Sequence, residues 1–252
     1  MKLQDRVAVV TGGAKGIGRA ICRALAKEGA AIAVNYSKSQ AEAEAVVREI
    51  ETNGGRAIAI RADVRQDAEA RALMDAVAEK FGRLDILVNN AGWTQRTSHK
   101  KLDLLTDEII ERTLAINTKG PLYCTRAAVP HMQKIGAGLI VNITSVAGIT
   151  GAGSSVIYCG SKAALSIMTK CLARAFAPQI RVNAVAPGFV DTGFVDWGPE
   201  AVEIAKKQNH LGRLVQGADI AAAVLYFATD GSALTGQEIV VDGGIIALGT
   251  RA

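Results

Sequence analysis

Tyr158 and Lys162 stand four residues apart in Tyr158-Cys159-Gly160-Ser161-Lys162, inside a stretch, Ser155–Phe176, whose pattern is helical. That spacing puts both side chains on one helix face. A free phenol titrates near about 10, too high to exchange protons readily at neutral pH. A neighbouring ammonium favours the phenolate and lowers that value, which makes the pair a candidate proton donor and acceptor. Such pairs also occur by chance on solvated faces, so the spacing alone decides little. Ser145 adds weight: it follows an apolar run, Leu139–Ile143, and its hydroxyl could hold a carbonyl oxygen and share developing negative charge. A second chemistry-bearing segment is Thr11-Gly12-Gly13-Ala14-Lys15-Gly16-Ile17-Gly18. Glycines there let the backbone turn sharply and let a pyrophosphate approach a helix N-terminus, whose free N–H groups and dipole attract anions. Asn117, in Ala115-Ile116-Asn117-Thr118, is a poor helix former set in a helical stretch, either a satisfied core amide or a functional one.

These residues need a frame, and the chain supplies one. Strand candidates are Val7–Val10, Ala31–Asn35, Ala57–Arg61, Ile86–Asn89, Leu139–Ile143, Arg181–Val185 and Glu238–Val241. Most are continuously apolar, as expected of parallel strands buried on both faces. Helical stretches Gly18–Glu28, Ala41–Thr52, Asp67–Phe81, Asp107–Met132, Ser155–Phe176 and Ala218–Thr229 alternate with them. This predicts an α/β fold: one Rossmann-type domain, 1–252, with a doubly wound parallel sheet of about seven strands and helices on both faces. Ligands of such sheets bind at the C-terminal strand ends. Segment 188–217 breaks the alternation and reads as a substrate-loop or lid insertion.

Bulk properties exclude several classes. The net charge is +5, but the basic residues are scattered and aromatics make up 4%, which disfavours a nucleic-acid partner. A mild positive field would instead suit an anionic small molecule. No apolar stretch is long enough to span a membrane. Cys22, Cys124, Cys159 and Cys171 form no C-x-x-C pair, which fits a reducing, cytoplasmic setting. His99, His131 and His210 have no ligand spacing, so no metal is expected. Ser145 does not sit in a G-x-S-x-G elbow, which argues against a serine hydrolase.

The Thr11–Gly18 segment continues with Asn89-Asn90-Ala91-Gly92, Asn117, Ser145, Tyr158-x-x-x-Lys162, Pro187-Gly188 and Val241-Asp242-Gly243-Gly244. In order and spacing this set resembles the short-chain dehydrogenase/reductase family over almost the whole chain. The resemblance implies hydride transfer between NADP(H) or NAD(H) and a carbonyl or secondary alcohol, with Asn117, Ser145, Tyr158 and Lys162 catalytic. Asn117 would anchor a water in a proton relay to Lys162, which would also bond the nicotinamide ribose. Gly12, Gly16 and Gly18 would hold the pyrophosphate, with Ile17 beneath it. Asp63 and Val64 would meet the adenine, and Asn89, Ala91 and Gly92 would lie along the cofactor. Pro187, Gly188, Val190 and Thr192 would clamp the carboxamide. NAD-using members commonly place an acid at the end of the second strand; here Asn35 is neutral, and Ser37, Lys38 and Lys15 offer a hydroxyl and two cations with no acid opposing them. NADP(H) is therefore the expected cofactor.

Within the family the chain is similar to 3-oxoacyl-[acyl-carrier-protein] reductases and carbonyl reductases. The former dock their carrier with two basic residues; Arg174 matches one place, whereas Val129 or Pro130 stands at the other. That leaves a free ketone, sugar, steroid or small alcohol open as the substrate, with a carrier-bound 3-oxoacyl group as the alternative, in a pocket lined by Trp93, Ala147–Gly153 and Phe189–Trp197. The resemblance also implies a homotetramer built on the two long helices, whose apolar residues, Leu165, Ile167, Met168 and Leu172 among them, exceed one stripe. The rival from another class is a nucleotide-sensing protein without catalysis. Such proteins typically lose the tyrosine or the lysine, and both are present.

Overall fold

The computed structural model describes residues 1–190, 192–195 and 197–250; Asp191 and Asp196, within the expected lid, lie outside the described residues. Seven strands form one fully parallel sheet: β1 (Val7–Val10), β2 (Ala31–Tyr36), β3 (Ala57–Arg61), β4 (Ile86–Asn89), β5 (Gly138–Ile143), β6 (Ile180–Pro187) and β7 (Glu238–Val241), in the spatial order β3-β2-β1-β4-β5-β6-β7. The order reverses between β1 and β4, which opens a crevice beyond the C-terminal ends of those strands.

Strand alternation divides the apolar residues between two layers. Ala8 and Val10 point to one side, where α1 (Gly16–Lys27), α2 (Gln40–Thr52) and α9 (Gly217–Thr229) cover them with Ile21, Leu25, Val46, Val224 and Phe227. Val7 and Val9 point to the other, toward Leu73, Met74 and Val77 of α3 (Asp67–Phe81) and Ala128 and Met132 of α5 (Gly120–Lys134). Helix α7 (Val156–Phe176) lies on that second side and contributes Ala173 to its core. Both faces of the sheet are thus dry, and the strands read as continuous apolar runs for that reason.

The expected single helix Asp107–Met132 is not continuous. It consists of α4 (Asp107–Leu114), a π-turn over Ala115–Lys119 and α5, in which the Gly120 N–H reaches the Ala115 carbonyl. The cause is local. Pro121 has no N–H to donate to the Asn117 carbonyl four residues back, so the α-helical ladder cannot pass that point. The remaining helices are short: α6 (Val146–Thr150), α8 (Gly198–Gln208) in the inserted segment, and α10 (Ile245–Leu248). Among the described residues no helix is long and apolar enough to cross a membrane, and no group of His, Cys, Asp and Glu could hold a metal.

Candidate active site

A cleft of about 1330 Å³ runs across the C-terminal strand ends. Its floor at the β1–α1 turn is built of glycine. Gly12 and Gly16 adopt φ of +61° and +51°, the left-handed region that side chains resist. A Cβ on Gly18 would stand 2.3 Å from the Gly12 carbonyl oxygen and 2.6 Å from Asn90 Nδ2. No other residue fits there. The N-terminus of α1 opens onto the same turn without a side-chain cap, leaving its first N–H groups for an anion. Thr192 arches over from the far side, 3.1 Å from where a Gly16 Cβ would be. This cradle has the size and donor set for a dinucleotide pyrophosphate.

At the β2–β3 end the arrangement departs from expectation in three ways. Asn35 reaches the cleft floor but is buried; its Oδ1 accepts from the Gly12 N–H at 3.3 Å and its Nδ2 donates to the Ala62 carbonyl at 3.0 Å. The amide therefore fastens the glycine turn to the end of β3, using both a donor and an acceptor, where a carboxylate would face a carbonyl oxygen. Lys15 is opposed by an acid after all: its Nζ pairs with Glu42 at 2.7 Å, and that lysine holds the Glu42 carboxyl below its usual range. The sequence offers no means of seeing that α2 brings Glu42 over the turn. Asp63 is engaged by Arg65 through Nε at 2.9 Å, which lowers its pKa, with Lys38 adding to the same field. Arg65 lines the cleft and was not singled out from sequence; a basic residue two positions after the acid was the available signal. Ser37, Lys38 and Val64 also line this end.

The segments after β5 and β6 and the first turns of α7 converge at the other end. Ser145 caps α6, its Oγ accepting from the Ala147 N–H at 3.2 Å, and its hydroxyl lies near enough to the Tyr158 phenol to lower the phenol's pKa. The first turn of α7 is fixed by Ser155, whose hydroxyl accepts the Tyr158 N–H at 3.2 Å. Burial pushes the Tyr158 phenol up to about 12, partly offset by the neighbouring Ser145 hydroxyl. Lys162 is buried, its Nζ donating to the Ile143 carbonyl at 2.7 Å and lying 5.9 Å from the Tyr158 ring centre. Desolvation lowers its pKa to about 8. The expected lowering of the tyrosine by the lysine is absent in the protein alone: burial dominates both groups. Pro187, Gly188 and Val190 form the wall beside them, with Gly188 pressed so closely on Asp242 that a Cβ would lie 2.8 Å from its Cα.

Two sequence-selected asparagines do not reach the cleft. Asn89 turns into the protein, its Nδ2 donating to Asn142 Oδ1 at 2.8 Å; Asn90 takes the cleft position instead and ties the turn through bonds to the Thr11 and Gly12 carbonyls at 2.9 and 3.1 Å. Asn117 is fully buried on the π-turn. Its Oδ1 accepts from the Trp93 N–H at 2.8 Å, and its Nδ2 donates to the Trp93 carbonyl at 2.9 Å and to Ser161 Oγ at 3.0 Å. The amide clamps the Ala91–Trp93 loop to α7, so its link to Lys162 is through backbone rather than side chain. Ala91, Gly92, Trp93, Ala147, Ala152, Gly153, Phe189, Phe194 and Trp197 also line the cleft, with the Phe194 ring centre 6.5 Å from that of Tyr158.

Comparison with known proteins bears on this geometry. A family model described as enoyl-(acyl carrier protein) reductase matches residues 12–246. An uncharacterized oxidoreductase of Methylorubrum extorquens is 43% identical, covering 97% of this chain and 99% of its own. A 3-oxoacyl-[acyl-carrier-protein] reductase of Staphylococcus aureus is 40% identical over 94% of this chain and 97% of its own. The crystal structure of a short-chain dehydrogenase from Burkholderia cenocepacia in complex with NADP superposes with a TM-score of 0.91 at 39% identity, covering 98% of this chain and all of that one.

Proposed function

This chain belongs to the short-chain dehydrogenase/reductase family, and we propose that it transfers a hydride between NADP(H) and a carbonyl or secondary alcohol of a small molecule. One observation carries this reading: the Ser145 hydroxyl, the Tyr158 phenol and the buried Lys162 ammonium occupy one end of a cleft whose other end is a glycine-built anion cradle. When bound, the nicotinamide cofactor supplies or accepts the hydride. Everything else falls to the protein. Ser145 holds the substrate oxygen, and Tyr158 Oη gives it a proton in reduction or takes one in oxidation. Burial keeps the phenol protonated through the neutral range, the state that reduction needs. The Lys162 cation offsets the phenolate charge left behind. Asn117 fixes the loop and the π-turn, and a water held at that turn returns the proton by way of Lys162. Val190 and Thr192 orient the carboxamide, and segment 188–217 closes over the cleft.

NADP(H) is favoured over NAD(H) by the neutral Asn35 and by Ser37 and Lys38 at the adenosine end; Lys15, neutralised by Glu42, and Arg65, engaged by Asp63, add less. All four cysteines are free, in keeping with a cytoplasmic protein. The second reading, a 3-oxoacyl-[acyl-carrier-protein] reductase, has the relatives' names behind it. Val129 or Pro130, neither of them basic, stands where a second carrier-docking base is expected, which favours a free ketone.

The test is a ketone panel read by nicotinamide absorbance with each cofactor. kcat/KM with NADPH should exceed that with NADH at least tenfold. Tyr158→Phe should lose about a hundredfold or more in kcat while NADPH still binds, because only the proton donor is removed. Retention of more than a few per cent of kcat would refute the tyrosine's role. NADPH binding without turnover of any ketone would favour the nucleotide-sensing alternative.

A further inference from the structure

Resting on the hydride-transfer reading, we propose that Arg112 is the receptor for a carboxylate carried by the substrate, so that the enzyme's substrates are keto acids or hydroxy acids. Arg112 lies on the last turn of α4 and lines the cleft. Its guanidinium carbon sits 4.3 Å from the centre of the Trp93 ring. Stacking fixes the plane of the guanidinium and leaves its edge N–H groups to bond elsewhere. The platform is itself rigid, because Asn117 holds both the N–H and the carbonyl of Trp93.

Among the described residues the guanidinium has no hydrogen-bond partner. Arg112 Nε is buried without a hydrogen-bond partner, and among the described residues no carboxylate lies within 4.0 Å of the guanidinium. Glu108 and Glu111 line the same wall, yet neither pairs with it. Arg65, the other arginine lining the cleft, is by contrast occupied by Asp63. Nε itself is closed to solvent, so a substrate carboxylate would bond the Nη groups, which have no partner among the described residues and can take both of its oxygens end-on.

The location assigns that group to the substrate. The cofactor's anions have their own receptors, at the glycine turn and at Ser37 and Lys38. Trp93 follows Gly92, which lies against Phe194, and Phe194 packs on Tyr158. The arginine therefore belongs to the wall that begins at the proton donor.

The test uses three matched pairs: acetoacetate, 4-oxopentanoate and 4-oxocyclohexanecarboxylate, each beside its methyl ester, reduced with NADPH. For at least one pair the parent should show an acid-to-ester ratio of kcat/KM of tenfold or more. Arg112→Gln should bring that ratio to about one, Arg112→Lys should recover part of it, and the Kd for NADPH should stay within twofold in both. A ratio that does not respond to Arg112→Gln overturns the assignment. So does a rise in the NADPH Kd with acid and ester rates falling together, which would make the cofactor the anion. No turnover of acids or esters by the parent would instead remove the hydride-transfer reading, and this inference with it.

Discussion

The Lys162 ammonium is buried with one carbonyl for company, and its pKa falls from 10.5 to about 8 because the interior disfavours charge. Below about pH 8 both folded and unfolded chains hold this proton, so the folded state carries the whole cost of the buried charge. Between about 8 and 10.5 the unfolded chain keeps a proton that the folded chain has lost, and stability rises with pH. Comparing the parent with Lys162→Met by urea unfolding isolates this one group. The stability of the parent relative to the variant should rise by on the order of 1–2 kcal/mol from pH 7 to 9.5. A difference that is flat with pH would mean that the lysine is not titrating in that window. At this scale the sequence was informative wherever spacing carried the chemistry. Tyr158 and Lys162 share a face because four residues make a helical turn, and Ser145 follows a strand because the sheet's C-terminal edge lies there. It was uninformative where a partner arrives from another element, as Glu42 of α2 does for Lys15.

At the scale of elements, the β1–α1 turn is set by contact rather than by flexibility alone. Gly18 faces the Gly12 carbonyl and the Asn90 amide at distances that no Cβ tolerates. Gly18→Ala should therefore push the turn away from Asn90, cost about 1–3 kcal/mol in urea unfolding, and weaken NADPH binding at least a hundredfold by fluorescence titration. Unchanged affinity would show that the turn is not the pyrophosphate cradle. The strands and the other long helices were legible because both sheet faces are dry and the helix pattern is periodic. The break in Asp107–Met132 was written in the sequence as well, since Pro121 cannot serve Asn117. Apolar periodicity runs straight across a π-turn, so the period hid what the proline disclosed. That one turn does two jobs, aiming Asn117 inward at Trp93 and ending α4 with Arg112 on the same loop.

At the scale of the molecule, the sheet order puts the glycine cradle at the β1–β4 reversal and Ser145, Tyr158 and Lys162 beside it, and the outer surface of α7 is left over. Leu165 of that helix faces the core, but Val156 and Ile167 are 44% and 59% exposed, on one stripe with Gly160 and the exposed Cys171. Leu122 of α5 is 40% exposed as well. A helix apolar on two sides calls for a second burial partner, and a dihedral homotetramer using α5 and α7 would provide one. Gly160 lets the two possibilities be told apart, because nothing lies within 4 Å of where its Cβ would be. If the stripe faces water, Gly160→Ala should stabilise the fold by up to about 1 kcal/mol through helix propensity. If a partner helix crosses there, the added methyl should instead weaken the assembly, and Ile167→Glu should dissociate it. We expect the second outcome: parent protein sedimenting at four times the 26.3 kDa chain mass at micromolar concentration, and Ile167→Glu at half of that or less. A parent that sediments as a monomer, together with a Gly160→Ala variant of higher Tm, would refute the tetramer.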